Sequence, residues 1–240
     1  MDFNTLSKDR LMEIKSESLA FVVNGYEEYF EDSSRIFANF LKDMGIGQVG
    51  HLSARRITED KIRSIVKHEF KRHKKDNPNG VRLLSVQSHG NLGGVSLNGV
   101  DLWPYFSMAN LMTDVSPYIC IIDSCKSGAA IPFFWRIKPK GMLATSTLWW
   151  KDSYHNDFFN SIIGACRDSN SIPTGRLYYE VVGVETIVFD KPCYVNEEGI
   201  EVIPDFGRRV FAPYNTPKRY YLDQSSRKIG LEMDRLLHPL

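Results

Sequence analysis

Apolar residues fall along this chain in two alternating patterns. "SLAFVVNG" (18–25), "VRLLSVQSHG" (81–90), "YICIIDSC" (118–125) and "GMLATST" (141–147) each hold an apolar run. Such runs lack the period-two alternation of a half-exposed strand and predict strands covered on both faces. Between them the period changes to that of a helix. Ile36, Phe37, Phe40 and Leu41 share one face of a predicted helix over 33–47, with Ser33 or Ser34 as its cap and Gly45 closing it. Ile62, Ile65, Val66 and Phe70 form the stripe of a second helix over 58–75, capped by Thr58. "QVGHLSA" (48–54) reads as a short strand. "NLGGVSLNGVDLW" (91–103) reads as a hairpin turning at Gly93-Gly94 and Asn98-Gly99, and helices follow over 101–114 and 153–168. A further strand is predicted at 185–189 and a closing helix at 227–240, with loops or an added hairpin over 190–225. Strands separated by helices predict an α/β fold: a mostly parallel central sheet of about six strands with helices on both faces.

Bulk composition narrows the function more than the fold. The 240 residues suit one domain over 1–240, its core at about 18–168 and its C-terminal strands, loops and helix at 175–240. Apolar content of 42% and charged content of 25% are those of a globular protein, and a net charge of +1 implies no nucleic-acid partner. The basic stretch 71–80 has no interleaved aromatics and reads as a solvated helix end. The polar N-terminus lacks a signal peptide's apolar core, and no apolar run is long enough to span a membrane. Cys120, Cys125, Cys166 and Cys193 show no framework spacing, so reduced thiols in a cytoplasmic protein are expected. The six histidines are scattered and no zinc-ligand spacing appears, so no metal or cofactor is expected.

Two strand ends carry reactive side chains. His89 follows one apolar run and Cys125 ends another, thirty-six positions later. In an open parallel sheet, function collects at the carboxyl ends of the strands. On neighbouring strands the two side chains would meet, and a thiol beside an imidazole is the minimal cysteine-nucleophile apparatus. The backbone N–H groups of Gly90 and Cys125 are candidates for an oxyanion hole, and a helix expected after Gly128 would favour the thiolate. Singly, a cysteine at a strand end is more often a core residue and a histidine before glycine a turn residue. The pairing of the two is what points to catalysis.

The series of strands and helices leading to "SHG" (88–90) and then "DSCKSG" (123–128) resembles the caspase-like superfamily of cysteine peptidases, which includes caspases, metacaspases, legumain, clostripain, gingipains, separases and CHAT domains. The resemblance spans roughly 18–168, with "STLWWKD" (146–152) closest to the CHAT version. It implies a His89–Cys125 dyad and a protein or peptide substrate. Here Asp-Ser precedes the cysteine rather than the Gln-Ala of caspases, which argues against caspase-type preference for aspartate. The similarity to metacaspases and clostripain implies instead that Asp123 receives a Lys or Arg side chain before the scissile bond. Position supports this, since Asp123 and Cys125 lie two apart and share a strand face. The alternative is that Asp123 caps the following helix.

Five other residues carry paired readings. Asp152 is a second acidic pocket candidate or a helix cap, Trp149 and Trp150 are pocket walls or core, and Ser88 and Ser146 line the pocket or serve the turns. The expectation is a cysteine endopeptidase cleaving after Lys or Arg through an acyl-enzyme, acting alone or as the effector of an assembly with a regulatory protein partner. The competing reading is a catalytically silent caspase-like scaffold or interaction module.

Overall fold

The computed structural model describes residues 8–116, 118–137, 141–146, 159, 193–195, 201–202 and 219–221. Five parallel strands form the central sheet in the order β2-β1-β3-β7-β8: β1 (Leu19–Asn24), β2 (Gln48–Ser53), β3 (Arg82–Gln87), β7 (Tyr118–Asp123) and β8 (Gly141–Thr145). Every residue of β1, β3 and β7 is buried, which is why their sequences run apolar without alternation.

The two faces of the sheet are covered by different helices. Leu19, Phe21, Val23, Leu84, Val86, Cys120 and Ile122 join one core cluster. Against it pack Ile62, Val66 and Phe70 of α3 (Glu59–Asp76), Met108 and Met112 of α4 (Tyr105–Asp114), and Phe134 of α5 (Ile131–Ile137). On the other face α2 (Glu28–Asp43) lies along β1 and β2, burying Phe30, Phe37, Phe40 and Leu41. Phe159 stacks on Phe37 there, ring centroids 4.5 Å apart. A short helix α1 (Lys8–Ser16) precedes β1, where the polar sequence gave no apolar stripe to predict it.

Between β3 and α4 the predicted hairpin is a three-stranded antiparallel sheet of β4 (His89–Gly90), β5 (Gly94–Ser96) and β6 (Trp103–Pro104). The strand β6 takes the first residues expected of the helix at 101–114. A second small antiparallel sheet, ordered β10-β9-β11, joins β9 (Cys193–Val195), β10 (Glu201–Val202) and β11 (Arg219–Tyr221) where loops or a hairpin were expected. The strand at 185–189, the helix at 227–240 and, apart from Phe159, the helix at 153–168 lie outside the described residues.

The start of α2 differs from its prediction. The helix begins at Glu28, and Ser33 and Ser34 lie inside it rather than capping it. Both hydroxyls donate to Oε1 of Gln87 on β3, Ser34 at 3.1 Å. Ile36, expected on the buried face, is half exposed, and Phe30, outside the expected stripe, is buried. Thr58 stands at the N-cap of α3 with extended backbone but makes no side-chain cap bond. Among the described residues no helix is long and apolar enough to cross a membrane.

Candidate functional site

Register brings the two reactive tips together. β3 and β7 pair in parallel with Arg82 opposite Tyr118 and Gln87 opposite Asp123. The ladder continues one residue further, since the Ser88 N–H donates to the Asp123 carbonyl at 3.1 Å. The offset that pairs Gln87 with Asp123 is the offset between His89 and Cys125, so each stands two residues beyond its strand, at the same level of the sheet's carboxyl edge.

Glycine closes the remaining gap. A Cβ placed on Gly90 would lie 2.6 Å from the Cys125 carbonyl oxygen, 2.5 Å from the Ser124 hydroxyl and 2.8 Å from the Ser124 Cβ. The segment after β3 therefore rests its backbone on the segment after β7, an approach open only to a residue without a side chain. Cys125 is partly exposed. Lys126 follows it with φ +58°, the one non-glycine positive φ among the described residues. This left-handed kink turns the chain from β7 into a 3₁₀ turn (Ser127–Ala130) and then α5. Left-handed backbone at a non-glycine residue costs on the order of 1–3 kcal/mol and gathers at functional sites.

Ser146 braces this turn from below. It is buried at the end of β8, its hydroxyl accepts the Ser124 N–H at 3.2 Å, and it lies 3.4 Å from the Ser127 hydroxyl. Ser88 is buried likewise and gives its hydroxyl to the Ser96 carbonyl of the small hairpin. Both candidate pocket serines are thus engaged with the turns that carry Cys125 and His89. Asp123 is 3% exposed, and its Oδ2 accepts a 2.8 Å hydrogen bond from Gln87 Nε2. It ends a buried file that runs through Gln87 to Ser33 and Ser34 of α2. Trp149, Trp150 and Asp152 lie outside the described residues.

Sequence reasoning missed the acidic partner of His89. "GYEEYF" (25–30) joins β1 to α2, and because β1 lies next to β3, this turn falls beside the residue after β3. Gly25 is pressed against Ser88, where an added Cβ would sit 2.0 Å from the hydroxyl oxygen. Glu27 Oε1 then lies 3.0 Å from His89 Nε2 and the Tyr29 hydroxyl 3.2 Å from the same nitrogen. Phe30 sets its ring edge-on to the imidazole at 5.3 Å. The sequence signal is that two carboxylates and two phenols follow a strand end, which acquires meaning once the strand order is known.

The electrostatics belong to one cluster. Hydrogen bonds from Tyr29 and His89 hold the Glu27 carboxyl down at about 2 against the opposing effect of desolvation, and a weaker bond from Tyr26 acts in the same direction as the first two. Burial first, and then the Glu27 bond and charge, push the Tyr29 phenol above its ordinary range; the Cys125 charge contributes in the same direction. Burial pushes Tyr105, at the start of α4, up to about 12; a bond with Ser124 opposes this and the Cys125 charge adds to it. Cys125 is thus felt by a phenol on each side of the sheet. Cys120, on β7 in the core, is a contrast: complete burial pushes its thiol far up, as befits a packing residue.

Among the described residues no three His, Cys, Asp or Glu side chains converge as a metal site would need. What the arrangement can do is place a nucleophilic sulfur, a base and a carboxylate at one exposed sheet edge. No family model matches this chain and no curated protein matches it.

Proposed function

We propose that this protein is a cysteine endopeptidase of the caspase-like type, with a central sheet completed to about six strands by the C-terminal part of the chain. One observation carries the reading: His89 and Cys125 stand in register at the carboxyl ends of adjacent parallel strands, with Gly90 seated on the Cys125 carbonyl. The Cys125 sulfur attacks the scissile carbonyl and the backbone N–H groups of Gly90 and Cys125 receive the oxyanion. His89 then protonates the leaving amine, and the acyl-enzyme is hydrolysed by water that His89 activates. These steps call for no cofactor.

The proposed preference is Lys or Arg before the cut, drawn to the Asp123 carboxylate. In its favour, a buried carboxylate two residues from the nucleophile is a costly arrangement that a substrate cation would offset. Trp149 and Trp150 remain proposed walls of that pocket, with Asp152 proposed as a helix cap beside it. A regulatory protein partner would act on loops around this edge. The test is cleavage of a peptide library by wild type and by Cys125→Ala. Cutting after Lys or Arg that vanishes in the variant is the expected result. No cleavage by wild type, or equal cleavage by the variant, overturns the proposal.

A further inference from the structure

The contacts of His89 go beyond what a two-residue apparatus requires. Its Nε2 is engaged on the side of α2 by the Glu27 carboxylate at 3.0 Å and the Tyr29 hydroxyl at 3.2 Å. A neutral imidazole carries its proton on one nitrogen only, and which one decides what the other can do. Glu27 cannot be the donor to Nε2. Tyr29 and Tyr26 hydrogen-bond to its carboxyl together with His89, and these contacts hold it as an anion. A lone pair on Nε2 would therefore face a carboxylate at hydrogen-bond distance, with nothing between them to attract. A proton on Nε2 is one that both the Glu27 carboxylate and the Tyr29 oxygen can accept, and that tautomer leaves Nδ1 as the basic nitrogen.

We infer that Glu27 is a positioning residue that fixes His89 as its Nε2–H form, so that Nδ1 takes the proton of the Cys125 thiol and Glu27 stabilises the imidazolium that results. The inference deepens the peptidase reading and rests on it for its catalytic meaning. The step is balanced: the Cys125 S–H bond breaks, an Nδ1–H bond forms, the electron pair stays on sulfur, and the Nε2–H···Oε1 bond becomes charge-assisted. Among the described residues, the other titratable groups set against His89 on the β1–α2 side are Tyr26 and Tyr29, and across β7 the nearest along the register is Cys125. The phenols stay protonated, since Tyr26 and Tyr29 are both held above their ordinary value. Glu27 is therefore the anion placed to support a cationic ring. The exposure is suited to this role: the His89 side chain is 43% and Glu27 29% accessible, so a substrate can reach the ring while the carboxylate is partly shielded.

Nitrogen-15 spectra of the full-length protein read the tautomer directly, with His89→Gln identifying the His89 signals. The Nε2–H pattern is expected, and an Nδ1–H pattern overturns the inference. The second readout is the rate at which iodoacetamide alkylates Cys125, followed by peptide mass spectrometry across pH. Glu27→Gln keeps the shape and removes the charge. It should slow alkylation at neutral pH by about tenfold or more and move the rate profile to higher pH, because the thiolate fraction sets the rate. Glu28→Gln is the control, since its carboxylate faces Arg55 at 3.7 Å and is 80% exposed; it should leave the profile in place. An unchanged profile in a folded Glu27→Gln protein refutes the inference. None of these readouts needs a peptide substrate. Expected results here, with no cleavage of any library, would refute the peptidase reading and leave Glu27 in its role.

Discussion

Replacing Gly90 with alanine tests the contact on which the site depends. The added Cβ would meet the Cys125 carbonyl oxygen at 2.6 Å, the Ser124 hydroxyl at 2.5 Å and the Ser124 Cβ at 2.8 Å. The serine hydroxyl can rotate away. The carbonyl oxygen and the serine Cβ are fixed to the backbone, so β4 and the turn after β7 must separate by several tenths of an ångström. Overpacking of this kind costs about 1–3 kcal/mol, which for a chain of this size lowers the thermal midpoint by roughly 2–12 °C. The geometric consequence is larger than the energetic one. Misplacing reacting groups by about 1 Å can cost on the order of a hundredfold in rate, so the displacement expected here should slow peptide cleavage by about tenfold or more. Thermal unfolding and turnover of a basic peptide are measured on the same preparations. A Gly90→Ala protein that melts with wild type and turns over at the same rate would refute the claim that the two strand ends touch.

Further expectations follow from the buried groups. Asp123→Ala should leave the Gln87 amide unpaired, costing about 1–3 kcal/mol in urea unfolding, and should cut cleavage after Lys or Arg by tenfold or more, as expected for a lost buried charge pair; Asp152→Ala should leave the preference unchanged, and a wild-type preference for Asp, Asn or an apolar residue would sink the basic-pocket reading. Cys120 should resist alkylation in the folded protein while Cys125 reacts, and equal labelling of the two in native buffer would contradict their assigned roles. His73 and His51 are both held below their ordinary value, burial being the first cause. Their unfolded forms take up protons as pH falls through about 6.5 while the folded forms lag. Stability should be full at pH 8 and fall between about pH 7 and 5, a window clear of Glu27, whose own contribution is lost only below the ordinary carboxylate range. A urea midpoint at pH 5.5 equal to or above that at pH 7.5 would refute this.

The parts of the fold legible in the sequence are those where local pattern and tertiary role coincide. β1, β3 and β7 are buried on both faces, and a continuous apolar run has no other good use in a chain of this composition. The stripe Ile62, Val66 and Phe70 of α3 was legible because one face alone meets the sheet. The start of α2 was not. Ser33 and Ser34 have the chemistry of caps, but their hydroxyls are spent on Gln87, more than fifty positions away, and no local rule foresees a polar bond through the core. Ile36 misled for a related reason: it is apolar and at helical spacing, yet it points to solvent beside Phe37. His89 and Cys125 could be singled out because each ends a strand of its own. Glu27 could not, since it gains its meaning from the adjacency of β1 and β3, which sequence order does not state. The same holds for Ser146, which became a brace of the turn that carries Cys125 only when β8 was seen to lie beside β7.

The central claim is that Cys125 is a nucleophile activated by His89 in a site that accepts a peptide. The most direct measurement is the intact mass and peptide map of the protein after incubation with a peptidyl acyloxymethyl ketone ending in Lys or Arg, compared between wild type and His89→Ala. The account predicts a single adduct on Cys125 in wild type and little or none in the variant within the same time. No adduct in wild type, or equal labelling of Cys125 without His89, would contradict it and favour a fold that has kept the shape of the site without its chemistry.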